Sequence, residues 1–241
     1  MYKIEYCGRE QIIVRRNKTC VTLEFLLQPI YEPQSGETIY YEALSKVFSE
    51  SGELLNTEIF FESINNDFIK LIALLQMEYF SYFKKLTNIF LNLNLSSLND
   101  NNFVENIIKL NSKNIYHIEI NDIDIPLLDN NILLNIKKLK KSGIKIILDD
   151  YCQDSIDSNL SLGMINWDYI KVDKSFLSNK NRKNRELEDL ILLLSKHCKN
   201  GVIIEGVETE RHNNFIKSHN ILAQGYYFSI PKNMEEFTEK D

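Results

Sequence analysis

One pattern restricts this chain more than any other: short apolar runs that stop abruptly at a polar or acidic residue, each separated from the next by a stretch of helical period. The runs end near residues 94, 120, 149, 172, 205 and 228 and have the length and β-branched content of buried strands. Between them lie helical segments such as Phe103–Leu110, Asn130–Ser142, Leu187–Lys199 and Glu208–His219, with Gly143 placed to end the second. Ahead of them Ile59, Phe60, Ile64, Phe68, Ile72, Leu75, Tyr79 and Phe83 recur at three- and four-residue steps, which predicts long amphipathic helices across 56–85. Strands that alternate with helices imply a parallel sheet covered by helices. Val21–Ile30 and Thr38–Leu44, joined by the turn-forming stretch 31–36, add a hairpin-like pair. The count reaches eight, enough to close an α/β barrel of the TIM-like (β/α)8 type with an irregular or antiparallel first strand.

At 241 residues the chain has the length of one such barrel. A single domain is expected, with 1–20 as a short-strand or irregular lead-in, 21–232 as the barrel and 233–241 as a tail. The net charge of -6 argues against a direct nucleic-acid binder, which needs an excess of Lys and Arg on one face. A phosphate-bearing ligand fits if a metal supplies the positive charge. No run approaches the ~20 apolar residues of a membrane helix. The opening MYKIEYCGRE lacks the apolar core of a signal peptide, so no membrane association and cytoplasmic residence are expected. Cys7, Cys20, Cys152 and Cys198 are scattered without metal-ligand spacing and read as reduced structural thiols.

The tips of the runs carry the chemistry. Ile144–Leu148 ends at Asp149 and Asp150, whose mutual repulsion calls for a cation, although such a pair taken alone is more often a turn and a helix cap. Glu42 lies near the end of the second strand, where a lone Glu is either solvent-facing or a ligand. Asn94 closes the period-two run Ile89–Ser96, and capping of the following helix is an equal reading for it. Glu119 and Glu205 end two more runs, and Lys171 sits among apolar neighbours, where an ammonium needs an anionic partner. Strand C-termini of a parallel barrel converge on one mouth, so Glu42, Asn94, Glu119, Asp149, Asp150 and Glu205 would gather as oxygen donors. Oxygen-only donors suit Mg2+ or Mn2+, and two such ions ~3.5–4 Å apart serve phosphoester hydrolysis, with Lys171 as a further cation.

At these residues the sequence resembles the EAL-domain family of cyclic di-GMP phosphodiesterases over about residues 21–232. Glu42-Ala43-Leu44 is common by itself. The resemblance rests on an ordered set that adds Gln28-Pro29-Ile30, Asn94-Leu95-Ser96, Glu119-Ile120, Leu148-Asp149-Asp150, Asp168 through Asp173, Glu205 through Thr209 and Gln224 through Phe228. It implies that Glu42, Asn94, Glu119 and Asp149 bind one divalent ion and that Asp149 and Asp150 hold another. It further implies that Lys171 and Glu205 position or activate the attacking water, that Gln224 steadies that water or the substrate, and that Gln28 and Lys46 contact the ligand. The implied reaction is hydrolysis of cyclic di-GMP to linear pGpG by a stand-alone EAL unit, with homodimerisation as a family trait.

Three departures stand out. Lys46 replaces an arginine, losing a bidentate phosphate fork. Tyr151-Cys152-Gln153-Asp154 lacks both glycines of the family loop, and Asp122 is one methylene shorter than the glutamate that steadies that loop. They define the alternative expectation, a degenerate protein that binds cyclic di-GMP or a regulatory protein partner without turnover.

Overall fold

A computed structural model describes residues 2–8, 11–16, 19–83, 86–111, 116–121, 123–178 and 184–238. Residues 3–16, expected as a short strand or an irregular lead-in, form two strands, β1 (Lys3–Cys7) and β2 (Gln11–Arg16), paired antiparallel with each other. Ile12 and Val14 of β2 are buried and anchor the hairpin, while β1 is exposed throughout. β2 pairs with the first half of a long strand, β3 (Thr19–Glu32), which folds back onto β4 (Glu37–Ser49) with Gln28 opposite Glu42.

Two helices follow, α1 (Thr57–Ser63) and α2 (Asn66–Phe80), separated because the Asn65 side chain caps the second by accepting from Phe68 N. The chain then repeats a strand–helix unit. β5 (Ile89–Leu93) precedes α3 (Asn101–Leu110), β6 (Tyr116–Ile120) precedes α4 (Asn130–Lys141), and β7 (Ile146–Tyr151) precedes α5 (Ile156–Met164). β8 (Tyr169–Val172) leads into α6 (Ser175–Ser178) and α7 (Asn184–Leu194), and β9 (Val202–Ile204) into α8 (Glu210–His219). β10 (Leu222–Ala223) and a last helical turn, α9 (Glu235–Thr238), complete the order. β4 through β10 run parallel, and β3 closes the ring antiparallel to both β4 and β10. The result is the expected eight-stranded TIM-like barrel with an antiparallel first strand.

Two local expectations change. The loop that opens at Tyr151 is short: Ser155 accepts from Ser158 N and starts α5 at Ile156, leaving only 152–155 outside regular structure. The last run is a strand only to Ala223. Gly225 then presses onto the Val207 backbone, where any Cβ would overlap, and the chain turns instead of extending. The core lies between barrel and helices, with Leu91, Ile118, Leu148, Ile170 and Ile204 facing outward into it.

Candidate active site

Side chains alternate along each strand, so half of the barrel residues face the helices and half face the barrel axis. The inward half forms two layers. The lower one holds Ile30, Tyr40, Phe90, Ile147, Tyr169 and Ile203, with Leu222 packed against them and His117 lying edge-on to Tyr40 and Phe90. Two residues nearer the mouth on the same eight strands, or just beyond their ends, come Gln28, Glu42, Asn92, Glu119, Asp149, Lys171, Glu205 and Gln224. Two strand residues span about 6.6 Å, so the step from apolar to charged is abrupt.

Lys171 is the hub of the upper layer. Only 1% exposed, its Nζ lies 2.5 Å from Glu119 Oε1, 2.6 Å from Glu205 Oε1, 3.0 Å from Asp149 Oδ1 and 3.2 Å from Glu42 Oε2. Gln224 Nε2 donates to Glu42 Oε2 at 2.6 Å and to Gln28 Oε1 at 3.1 Å, and Gln28 Nε2 donates to the Ser229 carbonyl at 3.3 Å. Two glycines set these ends: Gly206, at φ 66, leaves no room for a Cβ against Lys174 just after Glu205, and Gly225 does the same for Gln224.

The asparagine hydrogen-bonded within this layer is Asn92, two residues before Asn94. Asn92 Nδ2 donates to Glu42 Oε1 at 3.1 Å and to the Ala43 carbonyl at 3.3 Å. β5 ends at Leu93, and Asn94 stands at the head of a 3-10 turn, Leu95–Asn99, where its side chain makes no capping bond. Sequence reasoning also passed over Asn121, whose Nδ2 donates to Asn92 Oδ1 and Asp149 Oδ2, both at 3.0 Å. For Asn92 the signal was the spacing itself: on the parallel strands the members of this layer follow an inward lower-layer residue by two, as Asn92 follows Phe90, and on antiparallel β3 Gln28 precedes Ile30 by two. Lys46 is exposed on the same face of β4 as Glu42, four residues beyond it and outside the cluster. Asp122 lies outside the described residues.

Asp150 reaches the rim through an irregularity. The β7–β8 register shifts between Leu148 and Tyr151, and Asp150 takes a left-handed φ of 47, which Asp tolerates better than most residues. The glycine-free loop beyond it is clasped by Asn159, which accepts from Tyr151 Oη at 2.7 Å and donates to the Gln153 and Ser155 carbonyls at 2.8 Å.

One lysine faces more carboxylate than it can neutralise. Burial, reinforced by Asp149, pushes Glu119 well above the usual carboxylate range, and burial likewise raises Glu205 against the pull of Lys171. Burial also opposes ionisation of Glu42, yet Lys171 with hydrogen bonds from Gln224 and Asn92 outweighs it and holds that carboxyl low. Lys171 itself loses by desolvation and gains more from Asp149, Glu119, Glu205 and Glu42, so it stays charged. Two observations fit a divalent cation here. Glu119 Oε2 is buried with no hydrogen-bond partner among the described residues, and Asp149, Asp150 and Glu205 offer oxygens all within 4.8 Å of one another. An all-oxygen set of this kind suits Mg2+ or Mn2+.

The EAL domain model matches residues 13–231, nearly the whole barrel and the second strand of the hairpin. The chain belongs to the EAL domain family. It is 29% identical over 213 residues to cyclic di-GMP phosphodiesterase TpdA of Vibrio parahaemolyticus, covering 85% of this chain and 36% of TpdA. The chain spans about a third or less of the length of the curated relatives it matches. Among solved structures, the EAL domain protein of Listeria monocytogenes superposes with a TM-score of 0.71 at 22% identity, over 90% of this chain and 92% of that one. BlrP1 of Klebsiella pneumoniae, solved as a calcium and cyclic di-GMP complex, gives a TM-score of 0.71 at 22% identity over 87% of this chain and 56% of its own. Both likenesses speak to the fold. No helix among the described residues of this EAL chain is long and apolar enough to cross a membrane.

Proposed function

We propose that this EAL protein is a metal-dependent phosphodiesterase that opens one phosphodiester of cyclic di-GMP to give linear pGpG. The cage around Lys171, with Glu119 Oε2 left without a hydrogen-bond partner among the described residues, is the observation that supports the reading most strongly. Glu42, Asn92, Glu119 and Asp149 would hold one divalent ion, and Asp149 and Asp150 a second. Such ions, when bound, supply a nucleophile at neutral pH and offset charge on the phosphoryl oxygens.

The chain's own groups have separate tasks. Lys171, fixed by its carboxylates, meets the negative charge on the phosphoryl oxygens. Glu205, with a raised pKa and an edge open to solvent, is suited to take the proton of the attacking water. Gln224 is tied both to Glu42 and to Gln28, so the two glutamines orient what enters above them, and exposed Lys46 offers a point charge to a second phosphate. Water adds across one P–O bond, so no oxidant or reductant is needed.

The second reading, a ligand-binding protein without turnover, draws on the altered loop. The Asn159 clasp counts against it, because Asp150 remains within reach of Asp149 and Glu205 without the glycines. Incubating the purified protein with cyclic di-GMP and Mg2+ or Mn2+ separates the two: pGpG is expected by chromatography. Bound but uncleaved ligand with either metal would overturn the enzyme reading in favour of the second.

A further inference from the structure

We propose that β1 is a dimerisation edge, at which two copies of this chain join their sheets antiparallel with Ile4 on the two-fold axis. β1 is the terminal strand of the sheet, all five of its residues are exposed, and its outer edge pairs with no described residue. It also lies ahead of the span 13–231 that matches the family, outside the shared barrel. A strand edge with free N–H and C=O groups is a template for another strand unless it is guarded.

The two faces of β1 differ. Ile4 and Tyr6 stand opposite Val14 and Ile12, on the face where Tyr2 stacks upon Phe68 of α2. They remain 38% and 54% exposed, an apolar row without full cover. Lys3 and Glu5 stand on the other face.

Charge complementarity selects the occupant and the register. Pairing two copies about Ile4 sets Ile4 against Ile4 of the second copy, Lys3 against Glu5 and Glu5 against Lys3, with Tyr2 and Tyr6 facing across the flanks. Pairing about Glu5 opposes two carboxylates, and pairing about Lys3 opposes two ammonium groups; like charges directly opposite are unfavourable. A one-residue slip would instead set Ile4 against Glu5. The Ile4-centred register satisfies both faces.

Five residues a side bury far less than the ~1,200 Å2 of a stable interface, so the expected dimer is weak, with a Kd on the order of 10 μM. Sedimentation across about a hundredfold concentration range bracketing that value should show reversible dimerisation. Lys3→Glu and Glu5→Lys should each weaken it by about tenfold, since each turns two attractive cross-strand pairs repulsive. Mixing the two variants should restore association, because a strand carrying acids at both positions then faces one carrying bases at both. The double variant, Lys3→Glu with Glu5→Lys, should dimerise like the parent. A monomer at all concentrations, a dimer indifferent to both single reversals, or a mixture no more associated than its components would each overturn the proposal.

Discussion

The two layers inside the barrel sit one step apart on the same eight strands, yet they handle buried titratable groups in opposite ways. In the lower layer His117 is fully buried, its Nδ1 accepting from Lys145 N at 3.2 Å, and burial with the nearby Lys145 lowers its pKa to about 3. The ring stays neutral. Tyr40 and Tyr169 share a hydrogen bond of 3.2 Å, and burial and that bond push Tyr169 up, so it too stays neutral. The upper layer holds a charged lysine among carboxylates and, among the described residues, an oxygen without a hydrogen-bond partner. Burial alone therefore does not mark a site. A buried group that can give up its charge and still find partners serves the fold, and a set that cannot do so is poised for a cation.

The widest separation of the layers should come from Asp149→Asn. Near-isosteric, it keeps the fold but removes the carboxylate shared by both proposed ion positions, and kcat should fall by on the order of 10³ or more. His117→Leu, one layer down, should leave kcat within about threefold of the parent. Release of pGpG, with circular dichroism as the check on folding, measures both, and unaltered turnover in Asp149→Asn would show that the ion site is misplaced.

Stability should divide the layers next. Lys171→Met leaves Glu42, Glu119, Asp149 and Glu205 facing one another and should cost about 3–5 kcal/mol in urea unfolding near neutral pH. The deficit should shrink as pH falls and carboxylates protonate, and saturating Mn2+ should recover part of it. His117→Leu strands the Lys145 N–H and should cost about 1–2 kcal/mol, with no response to Mn2+. It should also relieve acid sensitivity. A histidine with a depressed folded pKa supports the fold above about 6.5 and loses that support as pH falls toward about 3. Equal Mn2+ recovery in both variants would erase the distinction.

Asn92→Ala against Asn94→Ala tests the upper layer's membership. Asn92 touches Glu42 and accepts from Asn121, so its loss should weaken Mn2+ binding about tenfold by calorimetry. Asn94→Ala should change it less than about twofold. The reverse result would make Asn94 the ligand and Asn92 a supporting residue.

How much of this the sequence disclosed follows from the same alternation. Glu119, Asp149 and Glu205 were legible because each ends an apolar run, and Lys171 because it interrupts one. Asn92 and Asn94 share a strand face by parity, and only the end of β5 at Leu93 separates them, a boundary that local composition does not define. α5 was hidden because Ser155 through Asn159 lack apolar periodicity, and its start depends on a side-chain cap. β1 is exposed on both faces and so shows no buried alternation, while in β2 the half-buried Ile13 between Ile12 and Val14 masks it. Asn121 looked like a loop residue because its role is to bridge two strand ends that only the barrel brings together.

The smallest effect should be a pH dependence set at the rim. Desolvation by the rim around it first, then the adjacent Asp149, pushes Asp150 from 3.8 up to about 6, although its own side chain is exposed. Its folded pKa lies above its unfolded one, so without a cation the ionised group opposes folding. That opposition is absent below about 4, grows through about 6 and is complete above it. A divalent ion needs the carboxylate, so Mn2+ affinity should fall at least about tenfold per pH unit below about 6 and level off above. Asp150→Asn should weaken binding at alkaline pH and lower the acid-side slope by about one proton, whereas His117→Leu, which removes a group titrating at about 3, should leave the slope alone. Calorimetry with Mn2+ over this range decides the matter: a slope that survives Asp150→Asn would remove Asp150 from the cation site and leave Glu119 and Glu205, both raised by burial, as the groups that release the proton.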